Sequence, residues 1–380
     1  MTDSADAARL ASALVDGVLA PLKRLFVSKD EVVDLMGLAL VAGENLFLLG
    51  PPGTGKSALV HELGALLAGR TFEYLLTRFT EPGEVFGPFD IRRLREGDLV
   101  TNTEGMLPEA DLVFLDELLN ANSAILNSLL TVLNERRFRR GRETRGLPML
   151  MAVGASNRLP DEVALEALFD RFLLRASCTN AGDDRIVDLL EAGWKLDVTL
   201  GERRPNLDVA GVRALNALLP RVDLGPVRAP LGALIVRLRQ TGVAVSDRRA
   251  VKLQRLVASS ALLAGRLEAR RSDLWVVRHV WDSLEQREVL AELVAEALKG
   301  EEPRPGDHPR AASAEAPDPE HIARDLKSIA DRLGAGEPRA GLKDRLGLLS
   351  ARTQWVRDAA RRTELTARID ALWGQLESSP

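Results

Sequence analysis

The sequence predicts an α/β protein with a parallel sheet, continued by an all-α region. Three observations predict it. Short apolar runs bounded by turn residues, LFLL at 46–49, LVFL at 112–115 and PMLMAVGAS at 148–156, read as buried parallel strands. Between them lie segments of helical period, ALVHELGALLAG and SAILNSLLTVLNER, and such alternation gives a parallel sheet. From about residue 180 strand signals fade, and DDRIVDLLEAG, VAGVRALNALLP, PLGALIVRLRQ and RRAVKLQRLVASSALLAG all carry helical periodicity.

Taken in order, residues 7–25 read as an amphipathic helix. Ser28 or Lys29-Asp30 opens a second helix that ends near Gly43. The strand LFLL follows, then a helix over 58–69 and a second strand, FEYLLT. Residues 79–108 hold the turn signals EPGE, GPFD, REGD and TEGMLPE. That is too long for a bare loop, so a hairpin insertion is expected. In the helix after LVFLDE, Ile125, Leu126, Leu129, Leu130 and Leu133 share one face. The expected boundaries are a nucleotide-binding α/β domain over 1–178 and a helical domain over 179–300. A flexible linker over 301–320 carries five of the nineteen prolines, and a helical hairpin spans 321–380. In the hairpin Ile322, Leu326, Ile329 and Leu333 lead, GAGEPRAG breaks the pattern, and a longer helix runs to about Leu376. That helix offers Leu346, Leu349, Trp355, Leu365, Ile369 and Leu372 for packing, and the stripe is expected to need a partner.

The 380 residues suffice for two or three domains, and the apolar and charged fractions are those of a globular protein. A net charge of −4 gives no global pull toward nucleic acid. The single cysteine, Cys178, excludes an intrachain disulfide and reads as a buried thiol. No zinc-type Cys/His spacing exists. The polar, acidic start MTDSADAARL does not read as a signal peptide, and no apolar run approaches membrane-spanning length. A cytoplasmic location is the expectation.

The chemistry is concentrated in a few stretches. GPPGTGKS, Gly50 to Ser57, follows a strand and opens a helix. Glycines let the backbone turn its N–H groups around an anion, and a helix start carries partial positive charge. Gly50, Pro51, Pro52, Gly53, Thr54, Gly55, Lys56, Ser57 and the following Ala58 are therefore expected to hold ATP. Lys56 would reach the β- and γ-phosphates, and Ser57 would ligate Mg²⁺. Sixty residues on, the acidic pair of LVFLDEL closes an apolar strand. Asp116 fits a second Mg²⁺ ligand, and Glu117 a carboxylate that orients or deprotonates water. Asn157 closes the strand MAVGAS and could hold the attacking water, or be a turn residue of SNRLP. Arg171 in EALFDRFL could neutralise transition-state charge on a neighbouring subunit, or pair with Asp170 in its own chain. VSDRRAVKLQRL opens a helix capped by Ser246 or Asp247, from which Arg248 or Arg249 could reach phosphates.

Together GPPGTGKS, LVFLDE, ILNSLLTVLNERRFR, VGASN and EALFDRF, in this order and spacing, resemble the AAA+ ATPases of the MoxR family, its RavA-like branch in particular. The resemblance covers about residues 20–290. It implies a P-loop AAA+ core with hairpin insertions and an all-α lid. It implies Lys56 and Ser57 as Walker A, Asp116 and Glu117 as Walker B, Asn157 as sensor 1, Arg171 as arginine finger and Arg249 as sensor 2. It further implies ring-shaped, usually hexameric, remodelling ATPases or chaperones working with von Willebrand factor A (vWA) domain proteins. This chain reads DRRA where many members read S-P-R-A, so Arg248 competes with Arg249. It has no D-x-S-x-S motif of its own, so a vWA partner is a separate polypeptide. The rival reading is a nucleic-acid motor using RRFRRGRETR, with arginines at 136, 137, 139, 140, 142 and 145. Only Phe138 is interleaved there for base stacking.

Overall fold

A computed structural model of the chain describes residues 2–95, 99–140, 143–198, 207–299, 301, 304–312, 319–334, 339–353 and 359–377. Among these residues the strands are β1 (Leu46–Leu49), β2 (Thr71–Leu75), β3 (Leu112–Asp116), β4 (Arg137–Arg140), β5 (Glu143–Gly146), β6 (Met151–Ser156) and β7 (Leu174–Ser177). Five form one sheet in the order β2-β3-β6-β1-β7, parallel throughout. Nearly every residue of β1, β3 and β6 is buried, as strands covered on both faces must be.

β7 was not expected from the sequence. Its run LRAS holds a charge, yet Arg175 is fully buried. Its guanidinium meets Asp282 at 3.0 Å and sits 4.2 Å over the Phe169 ring. Burial, and next the charge of Arg249, hold its pKa down to about 9, with Asp282 opposing them. The buried charge is thus matched by a carboxylate from the helical region.

The N-terminal helix starts at Thr2, earlier than expected, and runs through a π turn at Val15–Leu19 to Leu25. The next helix, Asp30–Ala42, ends on Gly43 in the left-handed conformation. In the helix Ser123–Glu135 the buried face is Ile125, Leu126, Leu129, Val132 and Leu133, and Leu130 is half-buried. The insertion over 79–108 is less regular than a hairpin. Among its described residues it holds short helices at Pro82–Phe86 and Ile91–Arg95 and an antiparallel bridge, Phe89 with Thr101. A hairpin before β6 is formed by β4 and β5. Its Arg142 lies outside the described residues.

The helical region does not stand apart. One hydrophobic core joins Leu10 and Leu14, Leu38 beneath the sheet, Leu46 of β1, and Leu256, Trp275 and Trp281 of the helical region. The helix Asp247–Leu263 lies along Asp30–Ala42. Arg255 donates to the carbonyl of Ala42, and Arg287 to Ser177 Oγ of β7.

The proline-rich stretch is docked in its described first part. Arg310 bonds Asp34, Arg270 bonds Asp307, and the buried His308 ring stacks on Trp275 at 4.7 Å. Residues 302–303 and 313–318 of the expected linker lie outside the described residues. Burial, against the pull of Asp34, lowers the His308 pKa from 6.5 to about 4. The folded chain therefore keeps this ring neutral. The associated stability is fully present above pH 6.5 and is lost as pH falls toward about 4. The loss is at most about 3 kcal/mol. Urea unfolding midpoints across that window should fall less steeply for His308→Phe than for wild type. Equal slopes would remove His308 from the account.

The C-terminal unit is a three-helix assembly and not a hairpin: Pro319–Gly334, Arg339–Thr353 and Ala359–Glu377. Ile322, Leu326, Ile329, Leu342, Leu346, Leu349, Leu365, Ile369, Leu372 and Leu376 bury one another. The stripe expected to need a partner is satisfied within the unit. Trp355 lies outside the described residues.

Candidate nucleotide site

Because the five strands are parallel, their carboxyl ends share one edge of the sheet. Register aligns Leu49 with Ser156 and Leu115 with Gly154, so the residues following β1, β3 and β6 emerge side by side. Neighbouring strands lie about 4.8 Å apart. Gly50 N donates to Ser156 O at 2.9 Å, which fixes the loop's first residue against β6.

The loop from Gly50 is built by close approach and by left-handed backbone. A Cβ on Gly50 would fall 1.9 Å from Cys178 O. Gly53 and Gly55 both sit at φ +79. Gly55 is the N-cap of the helix Lys56–Leu66, and no side chain caps that end. Its first N–H groups are left for an anion. Lys56 is buried, and its Nζ donates to Gly50 O at 3.1 Å and Pro51 O at 2.8 Å. Thr54 Oγ1 donates to Pro51 O at 3.0 Å, and the buried Cys178 Sγ faces Thr54 O at 3.7 Å. Ser57 and Ala58 begin the helix, both half-buried. Gly50→Ala should abolish ATP binding, read by equilibrium binding of a fluorescent analogue, because its methyl group cannot coexist with the β7 exit. Retained binding would mean that the loop is not held against Cys178.

At the end of β3, Asp116 Oδ1 accepts from Glu117 N at 3.0 Å. Glu117 takes φ 49, ψ 42, a left-handed conformation that costs a non-glycine residue about 1–3 kcal/mol. Asn120 Nδ2 donates to Glu117 Oε2 at 3.4 Å. Asn157 follows β6 directly and is exposed. The residues present fit a magnesium nucleotide: uncapped helix N–H groups, a buried ammonium among carbonyls, and a hydroxyl and a carboxylate on adjacent elements. Ser57 and Asp116 would hold the metal.

Arg171 is elsewhere. Its backbone carbonyl accepts from Asn45 Nδ2 at 2.9 Å, and Asn45 immediately precedes β1. Arg171 thus lies at the amino edge of the sheet, a strand's length, roughly 13 Å, from the loop after β1. Its Nη1 pairs with Asp170 at 3.1 Å, so the intrachain pair exists. Its Nε is buried without a hydrogen-bond partner. Arg248, Arg249 and Lys252 line the same narrow cleft. Arg249 is turned inward: it is buried and donates to Asp282 at 2.8 Å, to Ala244 O and to Val280 O. Arg248 is exposed, and Ser246 caps their helix by accepting from Arg249 N. The residue expected as sensor 2 is therefore bonded within the helical region, sharing Asp282 with Arg175 of β7, and lines the cleft of Arg171.

Asn45 and Asn120 were missed in the sequence. Asn45 also accepts from Arg136 Nη2 at 2.8 Å and from Ala152 N at 3.2 Å, and nothing in AGENLF signals so many partners. The basic hairpin keeps Arg137 and Arg139 exposed but turns other members inward or into pairs. Arg136 is inward, and burial lowers its pKa to about 10. Arg145 bonds Thr103, and Phe138 is buried against Phe86.

Fold and site define an ATPase of the AAA+ type. A family model described as the MoxR domain in MoxR–vWA–β-propeller ternary systems matches residues 12–217, and a AAA lid domain model matches residues 230–294. The chain belongs to the MoxR family of AAA+ ATPases. The match does not single out the RavA-like branch. An uncharacterized protein of Methanocaldococcus jannaschii is 32% identical over 75% of this chain and 82% of its own length. The chaperone MoxR1 of Mycobacterium tuberculosis is 27% identical over 40% of this chain and 41% of its own. A crystal structure of a Cytophaga hutchinsonii protein assigned as an ATPase superposes with a TM-score of 0.63 at 14% identity, covering 78% of this chain and 96% of that one. At that identity the likeness is one of fold. Among the described residues no helix is long and apolar enough to cross a membrane.

Proposed function

We propose that this chain hydrolyses ATP with Mg²⁺ as a ring, of six subunits by the family pattern, and uses the energy to remodel protein partners in the cytoplasm. One observation carries the reading: loop, Asp116, Glu117 and Asn157 converge on one sheet edge, and Arg171 stands at the other. Arg171 lies away from its own chain's loop, and a head-to-tail neighbour would bring it to the phosphates. Lys56 would exchange its loop carbonyls for phosphate oxygens. Glu117 would take a proton from the attacking water, and Asn157 would hold that water in line. Bound Mg²⁺ would neutralise charge on the phosphates. Arg171 is the arginine finger, and Arg248, the exposed member of its pair, acts beside it on the same neighbouring nucleotide. The family description supports a separate vWA-domain protein as partner, with a β-propeller protein as a third component.

The test is phosphate release by the purified chain with Mg²⁺, with EDTA, and with a coexpressed vWA partner, alongside light scattering of the ATP-bound form. Metal-dependent release by an assembly several subunits in mass is expected, faster with the partner. A fully active monomer would end the ring reading, and metal-independent release the proposed site.

A further inference from the structure

Arg171 carries a donor with no acceptor, and in the same cleft stands an acceptor with no donor. The Arg171 Nε is buried without a hydrogen-bond partner, and so is the side-chain oxygen of Asn134. Both residues line the narrow cleft at the amino edge of the sheet. A third residue holds them together. Asn45 Nδ2 donates to Arg171 O at 2.9 Å and to Leu133 O at 3.3 Å, so one nitrogen ties the residue before Asn134 to Arg171. The Asn45 Oδ1 accepts from Arg136 and from Ala152 N, so the buried amide makes all four of its bonds and the join is fixed. The other polar groups of the cleft are already paired. Asp170 takes Arg171 Nη1, and Ser246 Oγ takes Arg249 N. Arg249 is bonded to Asp282, and Lys252 to Glu44. A buried polar atom left unpaired is costly, and here two of opposite kind share one narrow space.

We propose that Asn134 is a positioning residue for Arg171, its Oδ1 accepting from the Arg171 Nε–H when the guanidinium turns from Asp170 to a neighbouring subunit's γ-phosphate. The proposal rests on the reading of Arg171 above and adds the group that aims it. A guanidinium has one N–H on its stem and four on its outer fork. Bonding the Nε–H within the cleft leaves both Nη groups outward, as a fork that matches two phosphate oxygens. It also fixes the plane of the guanidinium before it meets the developing charge, so less freedom is lost in the transition state. Asp170 cannot do the same. It holds Nη1, part of the fork that phosphate needs, and it is half exposed, so the pair is weak enough to give way. Asn134 itself touches no nucleotide and acts through Arg171.

The experiment reads phosphate release from full-length chains with Mg²⁺ and ATP. Asn134→Leu keeps the bulk and removes the acceptor. It should lower turnover about 10–100-fold, the loss expected for one hydrogen bond to a charged group, with affinity for a fluorescent ATP analogue unchanged. Asn134→Asp keeps an acceptor and should recover most of that loss. Mixing then shows where Asn134 acts. Lys56→Ala chains supply an arginine, and Arg171→Ala chains supply a loop. Asn134→Leu placed in the Lys56→Ala chain should cut the activity regained by the mixture about 10–100-fold. Placed in the Arg171→Ala chain it should leave that activity unchanged. Equal losses from both placements would mark a merely structural role and overturn the proposal. A loss from the loop side alone, or no loss at all, overturns it too. Arg171→Ala that works at the wild-type rate, or a mixture of the two parent chains that regains nothing, removes the reading of Arg171 and this proposal with it. A slow Arg171→Ala beside an Asn134→Leu at the wild-type rate overturns this proposal alone.

Discussion

Glu117→Gln should bind ATP as wild type does and release phosphate about 10²–10⁴ times more slowly, the range over which a positioned base contributes. The amide keeps the size, the left-handed backbone and a contact to Asn120, and loses only the ability to take a proton. Binding and turnover are therefore expected to separate cleanly, by fluorescent-nucleotide titration and phosphate release. The trapped form should also favour the assembled state, because an occupied loop persists. Turnover at the wild-type rate would show that Glu117 orients nothing that matters, and would shift the role of base to another group.

The second large effect concerns Arg171. Arg171→Ala should lower turnover about 10³–10⁵-fold if its guanidinium meets a phosphate in the transition state. The intrachain pair with Asp170 makes the opposite outcome concrete. Were Arg171 only a partner for Asp170, an exposed pair of this kind would contribute about 0–1 kcal/mol to stability and nothing to rate. Mixing decides between them. Arg171→Ala chains retain a working loop, and Lys56→Ala chains retain a working arginine. Each is inactive alone, and a mixture should regain activity at interfaces that combine the two. No recovery in mixed assemblies, verified by mass, would place Arg171 in its own chain's chemistry or outside chemistry altogether.

How far the sequence led depended on how local the causes were. The ATP loop, the acidic pair after β3 and the strands β1, β3 and β6 are written in contiguous residues, since spacing and apolar runs suffice for them. β7 was illegible because its buried Arg175 is made tolerable by Asp282, more than a hundred positions away. Arg248 and Arg249 are chemically alike and adjacent, and only the inward turn of one, onto Asp282 and Val280 O, distinguishes them. The proline-rich stretch looked like a linker because its anchors, Asp34 on one side and Arg270 and Trp275 on the other, come from two distant segments. The C-terminal unit was read with one helix too few, because Arg339–Thr353 and Ala359–Glu377 read in sequence as one periodic run. Helix 186–198 was read correctly as a helix, but its face of Val187, Leu190 and Trp194 is exposed, and periodicity does not say which way an apolar face points.

The shared core of sheet and lid has a mechanical meaning. Arg175, Asp282 and Arg249 bolt the lid to the sheet, and breaking a buried pair of this kind typically costs about 3–5 kcal/mol. A lid held this way is not a jaw that opens and shuts over its own nucleotide. In the ring proposed above, each subunit would move as a solid tooth, and the compliant joints would be the seams between copies. Hydrolysis would then read out as a change in the angle at a seam, and a client would be worked by the turning of whole subunits.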